Sequence, residues 1–119
     1  MTNDPGPDHS VTQLLDGAIQ FQRDVFPAQP GGLAFAQKPH TLFIACADSR
    51  VIPELITQSA PGELFVCRNI GNIVPAYGEM LGGVSAVVEY AVHALGVANI
   101  VVCGHTGCGA MQALSLIHI

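Results

Sequence analysis

Three short and almost wholly apolar runs are the feature that most constrains how this chain can fold. They span residues 41–46, 64–67 and 99–104. Continuous apolar runs of this length, without alternating polar residues, are typical of strands that are covered on both faces in a parallel sheet. Segments of helical character separate the runs. The sequence therefore predicts an α/β fold with a parallel β-sheet core flanked by helices.

The helical segments have recognisable ends. Apolar residues at helical spacing predict a helix from Val11 to Phe26, with Ser10 as its N-cap and Pro27 as its end. Further helical segments are predicted from Pro53, over residues 84–95 with Gly96 at their end, and directly after Cys108.

Charge and hydropathy exclude several classes of protein. A net charge of −5 in 119 residues provides no basic patch, so a nucleic-acid partner is not expected. No run reaches the ~18 apolar residues of a membrane span, and no secretory signal is visible. We expect a soluble, cytoplasmic protein without a membrane partner. Because only 11% of its residues are charged, we expect a second subunit to cover part of its apolar surface.

Two polar segments follow apolar runs and carry the residues suited to chemistry. Cys46-Ala-Asp48-Ser-Arg50 follows the first run, and His105-Thr-Gly-Cys108 follows the third. Open α/β sheets place their ligands beyond the carboxyl ends of the strands. If the two strands are neighbours, Cys46, His105 and Cys108 converge. Two thiolates and one imidazole form a known catalytic zinc set, with a fourth position left for water or substrate.

Asp48 and Arg50 offer this site a carboxylate and a cation. A carboxylate close to the fourth position could orient an attacking hydroxide, or it could occupy that position itself. Arg50 could hold Asp48 in a bidentate pair and favour its ionised form. The contact between the two side chains decides between these roles.

Each segment taken alone also has a purely structural interpretation. Cys46 could be a buried packing residue, as we predict for Cys67 and Cys103. Asp48 and Arg50 could form a surface turn with an ion pair of little energetic value. A non-catalytic zinc or thiol protein, in which the metal only joins two loops, therefore stays open as an alternative.

Three motifs together carry a resemblance to a known family. Cys46-Ala-Asp-Ser-Arg50, Pro61-Gly-Glu-Leu-Phe-Val-Cys-Arg-Asn69 and His105-Thr-Gly-Cys-Gly109 resemble the β-class carbonic anhydrases. The resemblance implies a zinc lyase, a carbonate dehydratase, that interconverts carbon dioxide and bicarbonate. It places the Zn²⁺ ligands on Cys46, His105 and Cys108, with the catalytic pair Asp48 and Arg50 beside them.

The same resemblance implies a substrate pocket and an oligomer. In one subgroup of the family a glutamine, a phenylalanine and a tyrosine line the carbon dioxide pocket. The matching positions are Gln37, Phe65 and Tyr90, with Ile70 where valine is commoner. Family members are dimers or larger homo-oligomers, in which the N-terminal helix packs on a partner subunit. Related proteins hydrolyse carbon disulfide or carbonyl sulfide, which is an alternative for the substrate.

Family chains are normally much longer than this one, which implies a truncated fold, incomplete at the C-terminus. We expect a flexible leader over residues 1–9, a single truncated zinc-binding domain over 10–114, and a non-native tail over 115–119. The last six residues, Leu114–Ile119, are also what the end sequence of a common sequencing transposon encodes. The missing elements would cover a sheet edge, so the chain is expected to be unstable and can be inactive where its parent enzyme is active.

Overall fold

A computed structural model of the chain describes residues 7–34, 36–77 and 83–117. It consists of two compact units, Met1–Ala36 and Gln37–Ile119. The boundary after Ala36 lies inside the single domain predicted over residues 10–114.

The first unit is helical. Helix α1 spans Pro7–Gln20 and widens into a π-helical turn over Phe21–Val25. Tight 3₁₀ turns follow over Phe26–Ala28, which contains Pro27, and over Gly31–Ala34. The helical path thus leaves α-helical geometry before the predicted end at Pro27.

Helix α1 begins earlier than predicted. Its first residue is Pro7, not the residue after the predicted N-cap Ser10. Proline suits a first helical turn because its ring presets the backbone angle φ, and because an amide hydrogen there has no acceptor within the helix. Residues 7–9 of the predicted flexible leader are therefore helical, and the rest of that leader lies outside the described residues.

The second unit contains a parallel sheet with the order β2-β1-β3. Strand β1 spans Thr41–Cys46, β2 spans Leu64–Asn69 and β3 spans Asn99–Cys103. Ile44 in the central strand pairs with Cys67 on one side and Val102 on the other. The predicted α/β fold with a parallel sheet is confirmed.

Three helices connect or follow these strands. Helix α2 spans Pro53–Thr57, α3 spans Gly83–Glu89 and continues as a π-helical turn to Ala94, and α4 spans Gly109–Ile117. Gly96 has a positive φ of 63° and ends the second of these segments, as predicted. None of the described helices is long and apolar enough to cross a membrane. Residues 115–117 continue α4, and the assignment of 115–119 as a non-native tail stays a prediction that the nucleotide sequence can check.

The core of the second unit is built on the central strand. All residues of β1 are buried, and they alternate between the two faces of the sheet. One face places Leu42 and Ile44 against Ala91 of the α3 segment. The opposite face places Phe43 and Ala45 against Val51.

The prediction that all three strands are buried holds only for β1, because β2 is half-buried and β3 is largely exposed. Ile100, Val101 and Val102 are 49%, 38% and 54% exposed. In the described part of the chain β3 pairs with β1 on one side and lies at the sheet edge. Apolar composition alone does not distinguish an edge strand from a central one, because only the packing of the other elements decides which faces are covered.

Candidate metal centre

The predicted metal ligands converge at the carboxyl ends of two adjacent strands. Cys46 is the last residue of β1, and His105 and Cys108 lie in the loop between β3 and α4. The candidate ligand atoms of these three residues lie within 4.8 Å of one another. The Sγ atoms of Cys46 and Cys108, both buried residues, are 4.0 Å apart. Neighbouring parallel strands therefore bring together residues that are 62 positions apart in the sequence.

The imidazole of His105 directs one nitrogen towards this cluster. Its Nδ1 lies 2.8 Å from the carbonyl oxygen of Thr106. Because a carbonyl only accepts hydrogen bonds, Nδ1 carries the proton and Nε2 keeps its lone pair. Nε2 is buried and is without a hydrogen-bond partner among the described residues. A buried nitrogen lone pair beside two sulfur atoms fits a bound metal ion.

The Cys46 sulfur lies among groups that favour a thiolate. Its pKa is lowered to about 7, first by the backbone N–H of Asp48 and then by His105 and the backbone N–H of Gly71. The Gly71 nitrogen is 3.4 Å from the sulfur. In return, Cys46 and the Thr106 carbonyl raise the pKa of His105. A thiolate is the form that binds metal, so the backbone already supports the ligand form of Cys46.

Asp48 and Arg50 form the bidentate pair that their spacing predicted. Arg50 donates from Nε to Oδ1 of Asp48 at 3.0 Å and from Nη2 to Oδ2 at 2.7 Å. The backbone N–H of Arg50 also donates to Oδ1 at 2.8 Å. These contacts hold the pKa of the Asp48 carboxyl well below its usual range. The carboxylate is thus fixed in its ionised form, with Oδ2 4.0 Å from Nε2 of His105.

The same guanidinium connects the two loops of the site. Nη2 of Arg50 donates to the carbonyl oxygen of Gly107 at 3.2 Å. Gly107 has a φ of 64°, in the left-handed region that favours glycine. The tight bend at Gly107 therefore allows Cys108 to lie close to His105, and the Gly107 carbonyl helps to position the Asp48–Arg50 pair.

Arg68 is a site residue that the sequence reasoning missed. Its Nε donates to the carbonyl oxygen of Cys46 at 3.2 Å, and its Nη2 donates to the carbonyl oxygen of Asp48 at 2.7 Å. The available signal was its position, because a charged residue directly after the apolar run 64–67 lies at the same sheet edge as the other site residues.

The four predicted substrate-pocket residues are only partly brought together. The rings of Phe65 and Tyr90 pack with their centroids 5.8 Å apart. Ile70 directly precedes Gly71, which touches the Cys46 sulfur, but its own side chain is 66% exposed. Gln37 is exposed as well. Beside the metal cluster lies an open groove of about 620 Å³, lined by His105, Gly107, Cys108 and by Met111, Gln112 and Ser115 of α4.

The fold and this site together define an α/β protein with a Cys-His-Cys cluster that could hold a metal ion, and comparisons with known proteins give its family. The sequence model of the family described as carbonic anhydrase matches residues 41–118. A carbonic anhydrase from Pseudomonas aeruginosa is 62% identical over 108 residues, which cover 88% of this chain and 49% of that protein.

Solved structures agree with the sequence comparisons. The β-carbonic anhydrase CcaA superposes with a TM-score of 0.85 at 46% identity, covering 91% of this chain and 54% of that one. A tetrameric β-carbonic anhydrase from the filamentous ascomycete Sordaria macrospora superposes with a TM-score of 0.64 at 41% identity, covering 88% and 51%. The chain belongs to the β-class carbonic anhydrase family. It spans about half the length of the curated relatives it matches.

Proposed function

We propose that this chain carries the zinc centre of a lyase that interconverts carbon dioxide and bicarbonate, with release of a proton. The observation that carries the proposal is the convergence of Cys46, His105 and Cys108 beside the ionised Asp48–Arg50 pair. The ligand set supports zinc, because zinc is commonly bound by thiolates and imidazole. The Asp48–Arg50 pair supports catalysis, because a purely structural site more often has a fourth cysteine or histidine.

Asp48 is the group that orients the attacking oxygen. Zinc, when bound, supplies a Lewis acid that acidifies water. Two thiolate ligands would neutralise the charge of such an ion and weaken its effect on water, so a further group would be needed to hold and align the nucleophile. The Asp48 carboxylate accepts the hydrogen of that nucleophile and directs the lone pair at the carbon of the substrate. Arg50 supports this role by retaining the carboxylate in a bidentate contact.

The substrate pocket proposed for this reaction consists of Gln37, Phe65, Ile70 and Tyr90. Phe65 and Tyr90 supply adjoining apolar surfaces, which suit the uncharged carbon dioxide molecule. The Gln37 amide donates a hydrogen bond to a substrate oxygen. Ile70, next to Gly71, narrows the path by which the substrate reaches the Cys46 side of the site. The exposure of Gln37 and Ile70 in the single chain fits a pocket that a partner subunit completes.

We also propose a homo-oligomer, a dimer or larger, located in the cytoplasm. Helix α1 supports self-association because its apolar residues lie on one helical face and are exposed. These residues are Val11, Leu14, Leu15 and Ile19. Burying such a face against a second copy would remove apolar surface from water.

Hydrolysis of carbon disulfide or carbonyl sulfide at the same centre is the second candidate. The reaction would use the same ligands and the same carboxylate. Relatives named carbonic anhydrase, one of them 62% identical to this chain, favour carbon dioxide instead. A non-catalytic zinc-binding fragment is the third candidate.

Zinc analysis combined with gas assays tests the proposal on the 119-residue chain and on a version that carries the further C-terminal residues of its longer relatives. We expect one zinc per chain and, in the extended version, carbon dioxide hydration that disappears on chelation and returns with added zinc. Hydrolysis of the sulfur gases without carbon dioxide hydration would favour the second candidate. Stoichiometric zinc without turnover of any of the three gases would leave a non-catalytic zinc fragment.

A further inference from the structure

We propose that Arg68 is a positioning residue of the metal centre. Its guanidinium holds the carbonyl oxygens of Cys46 and Asp48 and so fixes the spacing between the metal-binding sulfur and the carboxylate. The inference rests on the proposed function for its consequence in catalysis. The contacts themselves belong to this chain and can be tested without turnover.

The two hydrogen bonds of Arg68 bracket the segment that carries the site. Nε reaches the Cys46 carbonyl at 3.2 Å, and Nη2 reaches the Asp48 carbonyl at 2.7 Å. One rigid, planar group thus contacts two carbonyl groups on either side of Ala47. Because the guanidinium plane fixes the separation of its nitrogens, it also fixes the separation of the two carbonyls.

The backbone around these carbonyls extends the same arrangement. The N–H of Ala47 donates to the carbonyl of Asn69 at 2.6 Å, which continues the β1–β2 ladder by one bond. The N–H of Val51 donates to the carbonyl of Asp48 at 3.0 Å, so that carbonyl accepts from both Val51 and Arg68. Strand β2 thereby anchors the turn after β1, and Arg68 is its side-chain contact to that turn.

The position of Arg68 separates its role from that of Arg50. Arg50 binds the carboxylate of Asp48, whereas the hydrogen bonds of Arg68 within the described residues go to backbone oxygens of the site segment. A positive charge alone would not supply this function, since both carbonyls must be reached at once. Lysine keeps the charge but offers a single ammonium on a flexible stem.

Two substitutions and a matched control test the inference. Arg68→Lys keeps the positive charge but removes the planar guanidinium that contacts both carbonyls. Arg68→Gln removes the charge as well as the guanidinium. Arg23→Gln removes an exposed arginine whose side chain pairs with the adjacent Asp24. Circular dichroism establishes that each variant is folded. Each is then examined by amide hydrogen exchange and, after loading with Co²⁺, by the absorption of the thiolate–cobalt bands.

We expect the Val51 amide to exchange about fivefold faster in both Arg68 variants, because its acceptor carbonyl is no longer held. We expect altered cobalt bands and release of Co²⁺ to a chelator about tenfold faster, in the range known for groups that orient metal ligands. Arg23→Gln should match the unmodified chain in all three measurements.

The contrary outcomes separate this inference from the proposed function. Failure of the unmodified chain to bind Co²⁺ would overturn the metal centre. Normal cobalt bands and normal exchange in Arg68→Lys would show that charge suffices and would overturn the positioning role alone. Faster exchange with unchanged cobalt bands would reduce Arg68 to a contact that stabilises the loop, which also contradicts the proposal.

Discussion

The carboxylate of Asp48 lies between a cation and a candidate metal ligand. Its Oδ2 is 2.7 Å from Nη2 of Arg50 and 4.0 Å from Nε2 of His105. The sequence predicted the pairing with Arg50, since residues two apart in a tight turn can meet. It did not predict that Arg50 also binds the Gly107 carbonyl, because that contact depends on where the loop after β3 lies.

Removing the charge of Asp48 is expected to separate catalysis from metal binding. Asp48→Asn keeps the size of the side chain but can no longer accept the nucleophile's hydrogen through a carboxylate. We expect full zinc content and carbon dioxide hydration slowed about 100-fold, in the range reported for groups that orient a metal site. Metal analysis and stopped-flow hydration measure the two effects. Asp24→Asn, on an exposed carboxylate paired with Arg23, is the control, and equal rates for the two variants would contradict the role of Asp48.

Removing one sulfur ligand is expected to abolish metal binding. Cys108→Ala leaves one thiolate and one imidazole, which is too few for a stable zinc site. We expect zinc content to fall from one per chain to near zero. Cys103→Ala is the matched control, because Cys103 ends β3 and its thiol lies 3.4 Å from the Gly104 carbonyl, outside the ligand cluster. Retained stoichiometric zinc in Cys108→Ala would refute the ligand assignment.

Among the secondary-structure elements, the positions of the strands could be predicted from the sequence, but the burial of each strand could not. Strands β1 and β3 have similar apolar composition, yet β1 is buried throughout and β3 is largely exposed. The central position of β1 in the order β2-β1-β3 gives it a paired strand on each side, and the packing of the other elements decides how far each edge strand is covered. The early start of α1 at Pro7 has a local cause instead, and the preference of proline for the first helical turn could have indicated it.

The loop between β3 and α4 contains a glycine at which a side chain would strain the backbone. Gly107 has a φ of 64°, and a Cβ there would meet open space, so the cost of Gly107→Ala is conformational. We expect the free energy of unfolding in urea to fall by about 1 kcal/mol. Gly109→Ala, also in open space but at the start of α4 and without a positive φ, is the control and should not destabilise the chain. Equal stability of the two variants would contradict the strain argument.

At the scale of the whole molecule, the exposed face of α1 and the exposed strand β3 leave much apolar surface uncovered. The low fraction of charged residues predicted that apolar surface would be exposed in the single chain. We interpreted that surface as a contact with a partner subunit. The division into the units Met1–Ala36 and Gln37–Ile119 was not predicted. The spacing of apolar residues in α1 is the same as in a helix that packs on its own core. Periodicity therefore does not show which surface this face contacts.

Self-association through α1 predicts a specific sensitivity. Leu14 is 73% exposed, so Leu14→Glu should leave the single chain folded while placing a charge in the proposed contact. Burial of a leucine side chain contributes about 1.5–3 kcal/mol, so we expect the dissociation constant to rise at least about tenfold. Sedimentation velocity over a concentration series measures it. Gln13→Glu on the opposite face of α1 carries the same added charge, and an equal effect of both variants would contradict the proposed face.

The amino-acid sequence was enough to predict the parallel α/β class and the approximate helices and strands, because these follow from local periodicity and from the alternation of elements along the chain. It was also enough to predict the candidate metal ligands, because their residue types and motifs are visible in the sequence. The tertiary structure decided that Cys46 and Cys108 lie 4.0 Å apart and that β3 is an edge strand. It also decided that Arg68 of β2 donates to the carbonyl oxygens of Cys46 and Asp48, at the end of β1 and in the turn that follows it. These features depend on the order in which strands pair, and no local pattern of residues encodes that order directly.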